Sequence, residues 1–262
     1  MAVYLDHAAS TPLRPEARDA WLAAAELTGN ASSVHGAGQA ARRVVEDARE
    51  RVGAVLGCDP IEVVFTSGGT ESVNLGIKGP WWARDPARSA IVLPDGEHHA
   101  TLDTVEWLVA AQSAEVRGVP LGSDGAIDAE GFAAALPGAA LATALAANNE
   151  VGTVSDVAAL SAAAADAEVP LHLDAVGAIG HVALHFAALR GPGNAPGGLV
   201  ALSVSGHKVG APVGTGALVV SRYARRGAVL HGGGQQRGLR SGIPDVAGAA
   251  ALAVALELTA AE

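Results

Sequence analysis

Leu199-Val200-Ala201-Leu202-Ser203-Val204-Ser205 is a run of small and apolar residues that ends in Gly206-His207-Lys208. A short run of this kind, rich in β-branched residues and closed by a turn, suits a strand covered on both faces. Five more runs share its character: Glu62–Thr66, Ala90–Leu93, Leu141–Ala146, Leu171–Asp174 and Gly216–Ser221. Helix-like segments lie between and around them. They are Pro15–Leu27, Ala37–Leu56, Thr70–Lys78, Thr101–Ala111, Asp128–Ala135, Val157–Asp166 and Pro244–Leu258. Pro near the start of the first and Gly57 after the second are ordinary helix boundary signals. Strand and helix in alternation predict an α/β sheet with helices on both faces.

Composition supports a large core. Of 262 residues, 50% are hydrophobic, 17% charged and 3% aromatic. The core is therefore expected to be Val, Leu, Ile and Ala. A net charge of −10 argues against a nucleic-acid backbone as the main partner, which needs a basic surface. A small anionic ligand held by local groups remains compatible with it. Cys58 is the single cysteine, so no internal disulfide can form, as suits a reducing cytosol. No run of about 20 residues is free of Gly, Pro and charge, so no membrane span is expected. The start, MAVYLDHAASTP, lacks the basic and apolar pattern of a signal peptide. The expectation is a soluble, cytoplasmic protein. Arg190–Gly198 reads as a surface loop, and no repeat or domain boundary stands out.

Five constellations carry chemistry. Thr66-Ser67-Gly68-Gly69-Thr70-Glu71 runs from strand into helix and offers backbone N–H groups and a hydroxyl to a phosphate. It is not a P-loop, because no Lys-Ser/Thr follows the glycines; an ordinary strand-to-helix turn is the plain alternative. Asp174 closes an apolar run where an α/β sheet opens its ligand crevice. An ionised carboxylate there wants a cation, such as a protonated pyridinium, although an exposed or helix-capping Asp is the commoner case. Lys208 follows a strand end, hydroxyls and His207. A partly desolvated amine there can lose its proton and attack an aldehyde, whereas most lysines simply face solvent. Glu97-His98-His99 is a poor metal site, because adjacent histidines rarely ligate one ion and no third ligand falls at helical spacing. No metal is expected; a His stacked on a planar cofactor fits better. Asn148-Asn149-Glu150 can offer an amide to a cofactor oxygen or can simply form a turn.

The order of these stretches resembles the cysteine desulfurases of class V of the pyridoxal-phosphate (PLP) aminotransferase superfamily. The resemblance rests on YLDHAASTP (4–12), GNASSVHGAGQAAR (29–42), VVFTSGGTESVNLGIKG (63–79), EHHATLDTVEWL (97–108), ANNEVGTV (147–154), LHLDAVGAIG (171–180), ALSVSGHKVGAPVGTGALVV (201–220) and HGGGQQRGLRSGIPD (231–245). It implies a fold-type-I large domain: a mostly parallel seven-stranded sheet flanked by helices, without the family's small C-terminal domain. Residues 1–15 would form an N-terminal segment and 16–262 the PLP-binding domain. It implies that Lys208 holds PLP covalently, that Asp174 keeps the ring nitrogen protonated so that the ring is an electron sink, and that His98 stacks on the ring. Lys208 and His98 would be the catalytic residues. Gly69, Thr70, Ser205 and His207 would surround the phosphate, and Asn149 would lie near the phenolic oxygen and the substrate carboxylate. Gly177 and Gly206 complete the implied cofactor-binding set.

The implied reaction takes sulfur from L-cysteine or a similar amino acid, leaving alanine and a protein persulfide for iron–sulfur assembly or thiolation. The implied partners are a second copy, through His231–Gly242, and a sulfur-acceptor protein, with neither nucleic acid nor membrane. Another class V lyase or aminotransferase, or a truncated, inactive protein of this fold serving as a scaffold, are the alternatives. Three departures stand out. The sequence ends at Glu262, before the family's persulfide cysteine and carboxylate-binding arginine, and Cys58 reads as a small structural residue between helix and strand. Gly177 stands where the family has a Gln to the phenolic oxygen, and Ile243 where it has a Thr to the partner's phosphate. Each change removes a charge-assisted hydrogen bond worth roughly 1.5–3 kcal/mol. Together they could lower PLP affinity by about two orders of magnitude.

Overall fold

Burial on both faces turns the apolar runs into strands. The computed structural model describes residues 3–262. Its strands are β1 (Val63–Thr66), β2 (Ala90–Pro94), β3 (Glu115–Val119), β4 (Leu141–Leu145), β5 (Pro170–Asp174), β6 (Gly198–Ser205) and β7 (Gly216–Val220). They form one sheet in the order β1-β7-β6-β5-β4-β2-β3. The pairings β2–β3, β2–β4, β4–β5 and β5–β6 are parallel, and only β7 runs against its neighbours. Every residue of β1, β4, β6 and β7 is buried, which is why they read as continuous apolar runs.

β3 is the strand the runs did not announce. It is Glu-Val-Arg-Gly-Val at the edge of the sheet, and only Val119 is buried. An edge strand with one open side needs no unbroken apolar run, and charge on it guards against edge pairing.

The helices are α1 (Pro15–Ala25), α2 (Gly36–Leu56), α3 (Gly69–Trp82), α4 (His99–Gln112), α5 (Ala129–Ala135), α6 (Val157–Asp166), α7 (Phe186–Arg190) and α8 (Val246–Ala261). Helix α2 ends at Gly57 in the left-handed conformation (φ 66°), as its position suggests. Helix α3 continues past Lys78 and through Pro80, because the fully buried Trp81 keeps its last turn in the core. The short α7 was not expected; its fully buried Phe186 seats it. Helix α8 packs on α1 and α2. Arg51 grips Glu257 at 2.6 and 2.8 Å, and Arg14 grips Glu262 through two 2.7 Å contacts.

This frame brings the ends of β4, β5 and β6 and the start of α3 to one side of the sheet, where such folds open a crevice. Gly206, directly after β6, is wedged against β7. Its N–H donates to the Thr215 carbonyl at 2.9 Å, and a Cβ would come within 3.0 Å of that oxygen and of the Ala211 Cβ. Gly206→Ala is therefore expected to destabilise the protein by about 1–3 kcal/mol. The check is thermal unfolding, where each kcal/mol lowers Tm by about 2–4 °C at this size.

Candidate active site

Strand alternation sets the site. His172 and Asp174 lie on one face of β5, two residues apart. His172 is fully buried, with Nδ1 at 2.9 Å from Thr143 Oγ1 on β4 and Nε2 at 2.8 Å from Ser203 Oγ on β6. Burial pushes its pKa down to about 3, so the ring is a neutral tie across three strands. Gly76 lets α3 close on this ring, since a Cβ there would meet His172 Nε2 at 2.9 Å.

One step toward the crevice sits Asp174, 2% exposed. Its Oδ1 accepts the Val176 N–H at 3.0 Å, and among the described residues it forms no salt bridge. Burial raises its pKa; the Val176 N–H, His98 and Lys208 pull it back. A buried carboxylate that lacks a bonded cation is a receptor for one.

Lys208 ends the 3₁₀ turn Gly206–Lys208 that follows β6. It is half-buried, and its ammonium donates to the Ala8 carbonyl. Burial lowers its pKa, while Asp6 and Asp174 oppose the shift. His207, beside it, also has a lowered pKa, through burial and then through Lys208. Thr11 fastens the chain's start onto this turn, its N–H and hydroxyl both donating to the His207 carbonyl at 2.8 and 2.9 Å.

The opposite wall is the start of α3. Gly68 adopts φ 145°, and a Cβ on Gly69 would meet Val176 Cγ2 at 2.8 Å. The first N–H groups of the helix have no intrahelical acceptor. Ser205 Oγ is buried without a hydrogen-bond partner among the described residues. Glu71 accepts the Ser67 N–H at 2.6 Å and holds Arg240 at 2.8 Å, tying the segment 231–242 to this turn.

These groups enclose a cavity of about 500 Å³. Lys208, His207, Ser205 and Asp174 line it together with Gly69 and Thr70. His98, Asn149 and Gly177 complete the wall. His98 caps α4: its Nδ1 accepts the Ala100 N–H at 3.0 Å, which leaves the proton of the neutral ring on Nε2. Asn149 donates its amide to Glu150 Oε1 at 2.7 Å. A Cβ at Gly177 would meet only the Ala147 carbonyl oxygen, at 3.1 Å. Gly206 is the exception among the expected residues. It is absent from the cavity wall, because the turn needs it packed on Thr215.

Asp6, Ala8, Ala9, Glu150 and Val176 also line the cavity and were not anticipated. The stretch YLDHAASTP was legible as a motif, but small residues and an exposed Asp carry no chemistry that singles them out. Ile243 is 63% exposed and stands outside the cavity wall. Among the described residues no group of three or more potential metal ligands converges, and no helix is long and apolar enough to cross a membrane.

A profile of the aminotransferase class-V family matches residues 3–262. The chain belongs to that family. The class-V chain is 46% identical to an IscS-like cysteine desulfurase of Mycobacterium tuberculosis, over 97% of its own length and 64% of the relative's. It is 36% identical to the cysteine desulfurase IscS of Dictyoglomus turgidum, over 99% and 64%. Among solved structures it is similar to a NifS-like protein, with TM-score 0.92, 32% identity and coverage of 99% and 70%. It is also similar to SspA in complex with cysteine, with TM-score 0.89, 31% identity and coverage of 98% and 72%. The class-V chain thus spans about 64% of the length of these two curated relatives. The fold-type-I sheet that the sequence implied is the fold of the class-V chain.

Cys58 of the class-V chain is half-buried between α2 and β1, and burial, then Glu62, pushes its thiol up to about 12. At about pH 8 it is expected to carry about 10³-fold less thiolate than an ordinary thiol. A chromogenic thiol reagent should titrate it in unfolded protein and barely in folded protein; equal rates would contradict this burial.

Proposed function

We propose that this chain is the PLP-binding part of a cysteine desulfurase. The observation that carries the reading is the single cavity faced by the Lys208 amine and the Asp174 carboxylate. The partnerless Ser205 hydroxyl and the uncapped start of α3 make the same cavity a fit for a phosphate.

Lys208 would hold the cofactor covalently, Asp174 its ring nitrogen and His98 its ring face. Gly69, Thr70, Ser205 and His207 would hold the phosphate. Asn149 would reach the phenolic oxygen, with Gly177 beside it. When bound, PLP supplies an electron sink for carbanions at the substrate's α-carbon.

The remaining work falls to the chain's own groups. Burial lowers the Lys208 pKa, which raises the share of neutral amine able to attack a carbonyl and later to carry a proton. His98 has its Nδ1 engaged, so its Nε2–H is the group free to donate at the ring face. Asp174 sits where water is largely excluded, so its carboxylate, when ionised, binds a cation strongly.

The proposed substrate is L-cysteine, an assignment supported by the relatives' names and by the neighbour solved with cysteine. Its Cβ–S bond breaks, its sulfur forms an S–S bond to a thiolate, and the carbon skeleton takes up a proton as alanine. Cys58 is a poor thiolate, so that group would come from beyond these 262 residues. A homodimer is proposed through His231–Gly242, with Leu230 and Ile243 offering exposed apolar area beside it. A cytoplasmic setting and a sulfur-acceptor protein for iron–sulfur assembly or thiolation complete the proposal. The inert Cys58 also favours a second reading, a scaffold of this fold without turnover of its own.

The test is to incubate purified protein with PLP, then with L-cysteine and a small thiol, and to measure alanine. A yellow protein that releases alanine supports the desulfurase. Colour without alanine would leave a PLP protein and remove the desulfurase, and a colourless protein would favour the scaffold.

A further inference from the structure

Glu97 is a buried acid that the chemistry above leaves unused. It is 6% exposed and sits in the turn between β2 and α4, directly before His98. Its Oε1 accepts the Leu145 N–H at 2.6 Å. Among the described residues its Oε2 is buried without a hydrogen-bond partner, as is the hydroxyl of Thr101 one turn along α4. Leu145 is the register partner of Asp174 across β4 and β5, and the next amide, Ala146 N–H, donates to the Asp174 carbonyl at 2.8 Å. Two buried carboxyl groups therefore converge on the ends of neighbouring strands. Neither forms a salt bridge among the described residues.

Two such groups cannot both ionise without compensation. Burial raises the pKa of both; the charge is assigned to Asp174 because the Val176 N–H, His98 and Lys208 counter its burial. Among the described residues Glu97 forms no salt bridge, and its one hydrogen bond comes from the Leu145 N–H.

We propose that Glu97 is a proton-carrying positioning residue, a neutral carboxyl group that anchors the end of β4 and leaves Asp174 as the one ionised carboxylate of this strand-end pair. Its value for PLP rests on the function proposed above. Burial, then Asp174, pushes the Glu97 pKa up to about 8. The titratable groups around it are Asp174, His98 and His99 on its own turn, Asp124 and Glu150 across the adjoining crevice, and Lys208 across the cavity.

The test compares wild type with Glu97→Gln, free of cofactor, in thermal unfolding from about pH 5 to about pH 8. The folded pKa lies above the unfolded one, so the native state keeps a proton that the unfolded chain releases. The Glu97 contribution to wild-type stability therefore falls as pH rises through this window. Glu97→Gln has no such proton, so its Tm relative to wild type is expected to rise by at least about 4 °C from the acid end to the alkaline end. A pH-independent difference would overturn the proposal. PLP affinity gives a second readout. Glu97→Gln should bind within about threefold of wild type, whereas Glu97→Ala, which orphans the Leu145 N–H, should bind at least about tenfold more weakly. Equal losses in both variants would overturn the proposal as well. A wild type that takes up no PLP would sink the function proposed above, and the cofactor-free Tm comparison would still decide Glu97.

Discussion

Lys208→Ala is expected to stay colourless in excess PLP and to lose alanine formation by at least about 10²–10⁴-fold, the usual weight of a positioned proton carrier. The argument is geometric. Lys208 is held on a short turn between the end of β6 and the chain's N-terminal strap, half out of water and in the field of Asp174. The fold depends on it little, since among the described residues its side chain bonds only to the Ala8 carbonyl. The variant should therefore melt within a few degrees of wild type. Lys78→Ala is the control. Lys78 lies over the Trp107 ring at 4.8 Å and bonds to Asn74 at 2.7 Å, outside the cavity wall. It should keep its colour. Absorbance after gel filtration and alanine assays on the three proteins check both expectations. Colour that survives Lys208→Ala would remove the amine from its assigned role.

Asp174→Asn should separate cofactor affinity from folding. The amide can still accept the Val176 N–H and fills the same volume, so packing around β5 survives. What disappears is a buried acid whose carboxylate would have no salt-bridge partner among the described residues. Removing it should leave Tm unchanged or raise it. PLP should bind about 10- to 150-fold more weakly, the equivalent of losing a charge-assisted hydrogen bond of roughly 1.5–3 kcal/mol. Fluorescence titration with PLP measures the affinity, and calorimetry the melting. A variant that melts far below wild type while binding PLP normally would mean that Asp174 is structural.

Much of this was written in the sequence because burial and chemistry coincided. β4, β6 and β7 are buried on both faces and so announced themselves as apolar runs. Asp174 and Ser205 close such runs and Lys208 lies just past one, and strand ends are where an α/β sheet opens its crevice. β3 lacked that signal because one side of it faces solvent. Asp6, Ala8 and Ala9 were illegible as site residues for another reason. They reach the cavity through contacts about 200 positions distant in sequence, such as Thr11 to His207. Glu97 was visible beside its histidines, yet its burial next to Asp174 arises only from the pairing of β4 with β5. Gly206 looked like a cofactor contact by its place in the motif, and the packing of the turn on Thr215 gives it a different task.

Borohydride trapping is the most direct test of the central claim. The sequence contains two lysines, Lys78 and Lys208, so a PLP aldehyde has few amines to choose from. Protein incubated with PLP, reduced and digested should carry the pyridoxyl mass on the peptide of Lys208 and leave that of Lys78 unlabelled. Label on Lys78 or the N-terminal amine alone, or no label at saturating PLP, would contradict the account.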